Sequence, residues 1–436
     1  MMMPKKLTNR RCIRGSMTSP VNAKETSQEG GSRPTSGEQR YKGRLGIALP
    51  PLNWPLFTFI VIVPMVAIFG GILWVPIYKT TVLFGFVYGY LRGICITAGY
   101  HRYWAHRSYT ASQPLQLFLA LVGVGAGQGS ISQWCRQHRA HHRYVDTSQD
   151  PYNVQRGFFH AHIGWIIFKD NSNLHNRVDI TDLKADPIVY WQRRYYWQLT
   201  ILMAYIVPTV IAGLIWGDWL GGFVIAGCVG TGGVQQISFC INSFAHCYGT
   251  QPFQGVKSPR DNFITAFVTL GEGYHNFHHE FPVDYRNGVR WCDYDPTKWT
   301  IWFWSRIGLA SNLRRSPDSE IEKRRLQRCR EILDQALDNV DCGTMVKDLP
   351  DISWEAYQQQ ARTGCNLVVI NGIVHDVSNF ITDHPGGEEL LTAVIGDDAT
   401  QLFEGGAYKH SNAAHNLLST LRIARVSTQP ESKQLI

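Results

Sequence analysis

The stretch Gly271-Glu-Gly-Tyr-His275-Asn-Phe-His278-His279 carries three histidines at i, i+3 and i+4. On a helix those offsets put three imidazoles on one face, about one turn apart. The same spacing occurs upstream in His138-Arg-Ala-His141-His142. A looser pair, His101 and His106, precedes it, and His246 stands alone in Asn242-Ser-Phe-Ala-His246. A single histidine usually reads as a surface or satisfied core residue. Two grouped clusters beside apolar stretches read as metal ligands. Nine imidazoles in four clusters are enough for two ions. Imidazole suits iron, zinc and copper, and few carboxylates disfavour magnesium and calcium.

Each ligating imidazole needs an acceptor for its outer nitrogen. Asp146, Asp150, Glu272, Glu280 and Asp284 are the nearby acids. Asn242 lies four residues before His246, on the same helical face. It either supports a metal-bound water or caps or bonds the backbone; spacing leaves both open.

The clusters need a scaffold, and the composition names its class. Charged residues make up 17% of the 436 and aromatic residues 12%, which leans toward a membrane protein. Mean hydropathy is nevertheless slightly negative, so a polar part dilutes an apolar one. The net charge of +8 has no basic stripe interleaved with aromatics, which excludes a nucleic-acid partner. Ten cysteines without a Cys-x-x-Cys pair argue against a zinc ribbon or disulfide scaffold and fit a reducing cytosolic face.

Residues 1–50 read as a disordered cytosolic tail rather than a secretory signal. Membrane spans are expected at 54–77, 81–100, 197–216 and 220–241, because about 20 apolar residues suffice to cross. Arg92 inside the second span reads as a side chain snorkelling to the cytosolic end, with ligand contact as the alternative. Gly85 and Gly89, one turn apart, read as leaving room in the wall of a tunnel. Residues 115–131 are apolar, short and glycine-rich. Histidine clusters flank them on both sides, so a single crossing would part ligands of one centre. They must re-enter or lie along the interface. Residues 151–196 read as cytosolic, and the second hairpin of spans turns at Gly217-Asp218. Two hairpins leave every cluster and both termini on one side.

Beyond Tyr285, residues 297–309 are aromatic and expected at the membrane surface. Residues 317–339 read as a linking helix with a solvated charged face. A separate small unit follows from about Thr344. In it, Leu367-Val-Val-Ile370 and Asn371-Gly372 suggest a strand and tight turn.

Thr97-Ala-Gly-Tyr-His101-Arg-Tyr-Trp-Ala-His106, His138-Arg-Ala-His-His142, Asn242-Ser-Phe-Ala-His246 and Gly271-Glu-Gly-Tyr-His-Asn-Phe-His-His279 resemble the histidine boxes of membrane acyl-CoA Δ9 (stearoyl-CoA) desaturases. The likeness runs from about Leu52 to Gly308. Phe380 to His384-Pro-Gly-Gly387, with Lys409-His410-Ser411, resembles cytochrome b5. A desaturase followed by cytochrome b5 is the arrangement of the fungal acyl-CoA desaturases.

The resemblance implies a mostly α membrane protein: four transmembrane helices in two hairpins, a cytosolic histidine-rich helical cap and a small α+β cytochrome b5-like domain. The expected boundaries are 51–315 for the desaturase domain, 316–343 for the linker, 344–427 for the haem domain and 428–436 for a tail. The implied centre is a di-iron pair held by His101, His106, His138, His141, His142, His246, His275, His278 and His279. Asn242 reaches one iron through water. His384 and His410 match the axial ligands of haem b. Ser411 follows His410 as in the family, and His415 is the rival ligand.

The implied reaction inserts a cis double bond into palmitoyl- or stearoyl-CoA with dioxygen. Bis-histidine haem leaves no open site, so it passes electrons one at a time. NADH-cytochrome b5 reductase is the expected electron source, and the endoplasmic reticulum membrane the expected location. Arg136, Lys169, Arg193, Arg194 and Lys257 are candidate contacts for the anionic acyl carrier. The alternative reading is a membrane di-iron fatty-acid or lipid hydroxylase.

Overall fold

The computed structural model describes residues 50–169, 178–405 and 409–427. The expectations for the two termini, and for Gly406-Ala407 as part of the segment that absorbs the extra length between His384 and His410, fall outside the described residues.

Among the described residues, four helices are long and apolar enough to cross a membrane: α1 (Trp54–Gly71), α2 (Lys79–Ala105), α5 (Tyr196–Trp216) and α6 (Trp219–Cys247). Their outward side chains, such as Phe69, Leu83, Phe86 and Leu214, are apolar and exposed. That is the pattern of a helix whose solvent is lipid. Two of them outrun the expected spans. α2 continues to Ala105 and carries His101 on its last turns, and α6 continues to Cys247 and carries Asn242 and His246. Gly217, in the left-handed conformation at φ 79°, ends α5, and Asp218 accepts from Gly221 N–H at 2.8 Å to start α6.

Between α2 and α5 lie α3 (Gln113–Val124) and α4 (Ile131–Tyr144). The twelve residues of α3 reach about 18 Å, too short to cross. The chain turns back through Gly127, at φ 64°, where an added Cβ would sit 2.8 Å from Phe59. Ser130 then caps α4.

Arg92 corrects the sequence reading. It does not snorkel; it is fully buried. Its guanidinium donates to Gly125 O at 3.0 Å, Thr231 Oγ1 at 2.7 Å and Ala226 O at 3.3 Å. The loop after α3 and helix α6 thus surround it with acceptors, which removes the reason to seek the interface. Gly85 is likewise a packing glycine, not a gap. A Cβ there would lie 3.2 Å from the Ala226 backbone, so its absence lets α2 and α6 approach. Gly89 faces Val234 on the same helix.

A two-residue ladder pairs β1 (Thr110–Ala111) with β2 (Ala310–Ser311). It ties the segment after α2 to the chain beyond α8 (Pro296–Arg306). α8 buries Ile301 and leaves Trp302 and Phe303 outward. Then α9 (Asp318–Leu337) begins. Its charged face is largely exposed, and its first turn is seated on the cap. Ile321 is buried with Phe253 and Phe277.

The C-terminal unit has a four-stranded sheet in the order β3-β6-β5-β4, from Asp351–Ile352, Arg422–Val426, Ile373–Asp376 and Leu367–Ile370. The β4–β5 hairpin turns at Asn371 and Gly372, with φ 51° and 74°, the signs a two-residue type I′ turn needs.

Candidate metal centre

The last eleven residues of α2, Cys95–Ala105, widen into a π-helix. Its effect shows at the loose pair. His106 N–H donates to His101 C=O at 3.1 Å, an i to i+5 bond, so His106 comes one wide turn after His101. The two rings then lie 4.8 Å apart. On an α-helix, residues five apart would diverge. Arg139, inside the second cluster, donates to the carbonyls of Trp104 at 2.8 Å and Ala105 at 3.1 Å. It therefore caps the end of α2 and sets α4 against it.

The His275–His279 cluster rides on the six-residue helix α7, His275–Glu280. Asp261 holds its start, with Oδ1 accepting from Asn276 N–H at 2.7 Å and Phe277 N–H at 3.2 Å. Gly273 lies so close to the Thr265-Ala266 backbone that a Cβ would stand 2.0 Å from Ala266 N.

All nine histidines converge, and they divide into two sets. His101, His106, His138, His142 and His278 form one; His141, His246, His275 and His279 form the other. Within each set the ligand nitrogens lie within 4.8 Å of one another. His106 and His138 Nε2 approach to 2.7 Å, and His275 and His246 Nε2 to 3.1 Å. The chain between His106 and His138 therefore returns to where it left.

The donor chemistry fits metal. His278 Nε2 lies 3.0 Å from the Nε2 atoms of both His101 and His142. Hydrogen bonds do not naturally produce this inward crowd of ring nitrogens; one cation at each centre does. Burial first, then the neighbouring imidazoles, pulls His106, His138, His142, His275, His278 and His279 well below the usual histidine range. They are neutral, as ligation requires.

The outer nitrogens sort the five acids. His101 Nδ1–H donates to Glu272 Oε2 at 2.8 Å, and His141 Nδ1–H to Asp150 Oδ1 at 2.9 Å. His246 Nδ1 meets Ser258 Oγ at 2.7 Å, and Ser258 in turn meets Asp146. Glu280 and Asp284 do not serve. Glu280 accepts from Arg324 Nε at 3.0 Å, and Asp284 binds Arg286 and Ser316 N–H. Both lie where the chain leaves α7 and turns from the centre.

Two participants escaped the sequence reading. Arg102 donates to Glu272 and to Asp295, each at 2.9 Å, and braces the carboxylate that holds His101. Its place next to His101, at the end of an apolar span, was the available signal. Ser258 lies in a loop of ordinary composition and had none.

A small cavity of about 60 Å³ opens beside the histidines. Its lining includes Trp134, Trp165, Phe239 and Ile241, with Gln128 and Ser238 joined at 2.7 Å. Asn242 faces it too. Arg136 is half-buried on α4, and Lys169, Arg193, Arg194 and Lys257 are exposed.

In the C-terminal unit two further imidazoles are anchored alike. His384 Nδ1 donates to Gly387 O and His410 Nδ1 to Phe403 O, both at 2.9 Å. Each bond leaves Nε2 as the acceptor, the form an axial haem ligand takes. Phe403 stacks on His410 at 4.3 Å and meets His415 edge-on at 4.8 Å. Phe403 and Leu418 in turn pack against the buried cluster of Val368, Ile370 and Ile381.

A family model described as fatty acid desaturase matches residues 79–302. A second, described as a cytochrome b5-like heme/steroid binding domain, matches residues 353–427. The chain is 48% identical to a probable acyl-CoA desaturase of Schizosaccharomyces pombe over 375 residues, covering 86% of this chain and 78% of that protein. It is 43% identical to acyl-CoA desaturase 1 of Saccharomyces cerevisiae over 87% of this chain and 75% of that one. It is 36% identical to stearoyl-CoA desaturase 5 of Homo sapiens over 69% of this chain and 90% of that one.

Proposed function

Because the chain belongs to the fatty acid desaturase family and carries a cytochrome b5-like domain, we propose that it is an acyl-CoA Δ9 desaturase supplied with electrons by its own haem. The observation that carries this reading is the convergence of nine buried imidazoles, five and four, beside an apolar cavity at the ends of membrane helices. His101, His106, His138, His142 and His278 would hold one iron. His141, His246, His275 and His279 would hold the other, with Asn242 reaching it through water. His384 and His410 would hold haem b. When bound, the irons supply the oxidising power that removes two hydrogens from adjacent methylenes with dioxygen, and the haem supplies single electrons.

The chain's own residues do the rest. Trp134, Phe239 and Ile241 offer a saturated chain an apolar wall and exclude water. The carboxylates of Glu272 and Asp150 keep His101 and His141 in the tautomer whose Nε2 faces inward. Cations such as Arg136 and Lys169 would meet the anionic carrier. The domain boundaries that go with this reading are 51–315, 316–343 and 344–427. NADH-cytochrome b5 reductase is the proposed electron source. The proposed setting is the endoplasmic reticulum membrane with both termini cytosolic.

Expression in a host lacking its own desaturase, with double bonds mapped by mass spectrometry, tests the proposal. Palmitoyl and stearoyl chains should lose two hydrogens at C9–C10. The variant His278→Ala should make no unsaturated product while its haem spectrum survives. Gain of oxygen instead of loss of hydrogen, or an active His278→Ala, overturns it.

A further inference from the structure

The outer nitrogen of His246 meets a hydroxyl, that of Ser258, and a hydroxyl both donates and accepts. On its own, Ser258 would leave the His246 tautomer undecided. Asp146 decides it. Its Oδ1 lies 2.5 Å from Ser258 Oγ, and its Oδ2 accepts from Ser258 N–H at 2.6 Å. An ionised carboxylate only accepts, so Ser258 O–H must donate to it. The Ser258 lone pair is then left to accept from His246 Nδ1–H, and His246 Nε2 faces inward bare.

The same loop serves a second ligand of the same set. Asp146, at φ 65°, donates its N–H to Asp150 Oδ2 at 3.0 Å, and Asp150 Oδ1 takes the His141 proton. His141 and His246 both belong to the four-histidine set. The five-histidine set draws on Glu272, from another part of the chain. Resting on the di-iron reading above, we infer that Asp146 and Ser258 are positioning residues that set the affinity of the four-histidine position alone. Asp146 reaches Ser258 across 112 residues of chain, so the relay also ties the loop after α4 to the loop after α6.

The test is iron per haem in the purified full chain after dialysis against a chelator, with the haem as internal reference. The unaltered chain should keep two irons. Asp146→Asn keeps the left-handed backbone, which asparagine tolerates, but loses the charge and one acceptor. It and Ser258→Ala should weaken one iron by about 10–100-fold, leaving one per haem. Ser258→Thr, which keeps the hydroxyl, should hold two. Mössbauer spectra of the depleted variants should show one ferric environment in place of two. Two equally retained irons in both variants, or loss of both irons together, overturns the relay. An unaltered chain without two irons defeats the di-iron reading itself, and this inference with it.

Discussion

The guanidinium of Arg102 meets the carboxylate of Glu272 at 2.9 Å, with side chains only 1% and 2% exposed and 170 residues between them. Burial pushes the Glu272 carboxyl up, but His101 and Arg102 outweigh it and hold it at about 2. Arg102 also faces Asp295, so one cation balances two buried carboxylates. Arg102→Met leaves both uncompensated and should destabilise the fold by about 3–5 kcal/mol. Thermal unfolding in detergent, followed by tryptophan fluorescence, would read this as a large drop in Tm. An unchanged Tm would mean the charges are balanced elsewhere.

Asp261 carries a pH signature. Loss of solvation raises its carboxyl to about 7, above the usual value near 4. A group whose folded pKa is raised favours folding when protonated. Stability should therefore fall as pH rises from about 4 to about 7. Asp261→Asn keeps an oxygen for the Asn276 and Phe277 amides and removes the slope. Melting curves across pH 5–8 should show the variant flatter and, above pH 7, higher in Tm by about 2–4 °C.

Glycines separate close packing from mere chain freedom. At Gly273 a Cβ would lie 2.0 Å from Ala266 N, where backbone cannot yield. Gly273→Ala should displace α7 and lose iron, measured by metal analysis. At Gly233 on α6 nothing lies within 4 Å. Gly233→Ala should be neutral or stabilise by up to about 1 kcal/mol.

The haem ligands can be told apart by spectrum. His410 Nδ1 is anchored on Phe403 O, whereas His415 meets the edge of the Phe403 ring. His410→Ala should abolish the bis-histidine Soret band of the reduced protein, and His415→Ala should retain it. The opposite result would reassign the ligand.

Much of this molecule was legible without coordinates. Histidine at i, i+3 and i+4 carries its own geometry, because a helix alone puts those rings on one face. Long apolar runs announce spans because lipid leaves the backbone few alternatives. Asn371-Gly372 marks its turn for a similar local reason.

Tertiary structure decided what local rules do not reach. The division of nine histidines into five and four separates His141 from His142, neighbours in the chain, because successive residues on a helix point apart. His106 joins His101 only because a π-helix changes the turn between them. Arg92 lies buried rather than at the interface because three acceptors from α6 and the loop after α3 converge on it. Ser258 gains its part from Asp146, far away in sequence. The sequence by itself determined which side chains can bind metal and which stretches face lipid. Their pairing required the fold, because hydrogen bonds and buried charges are satisfied by whatever the packing brings near.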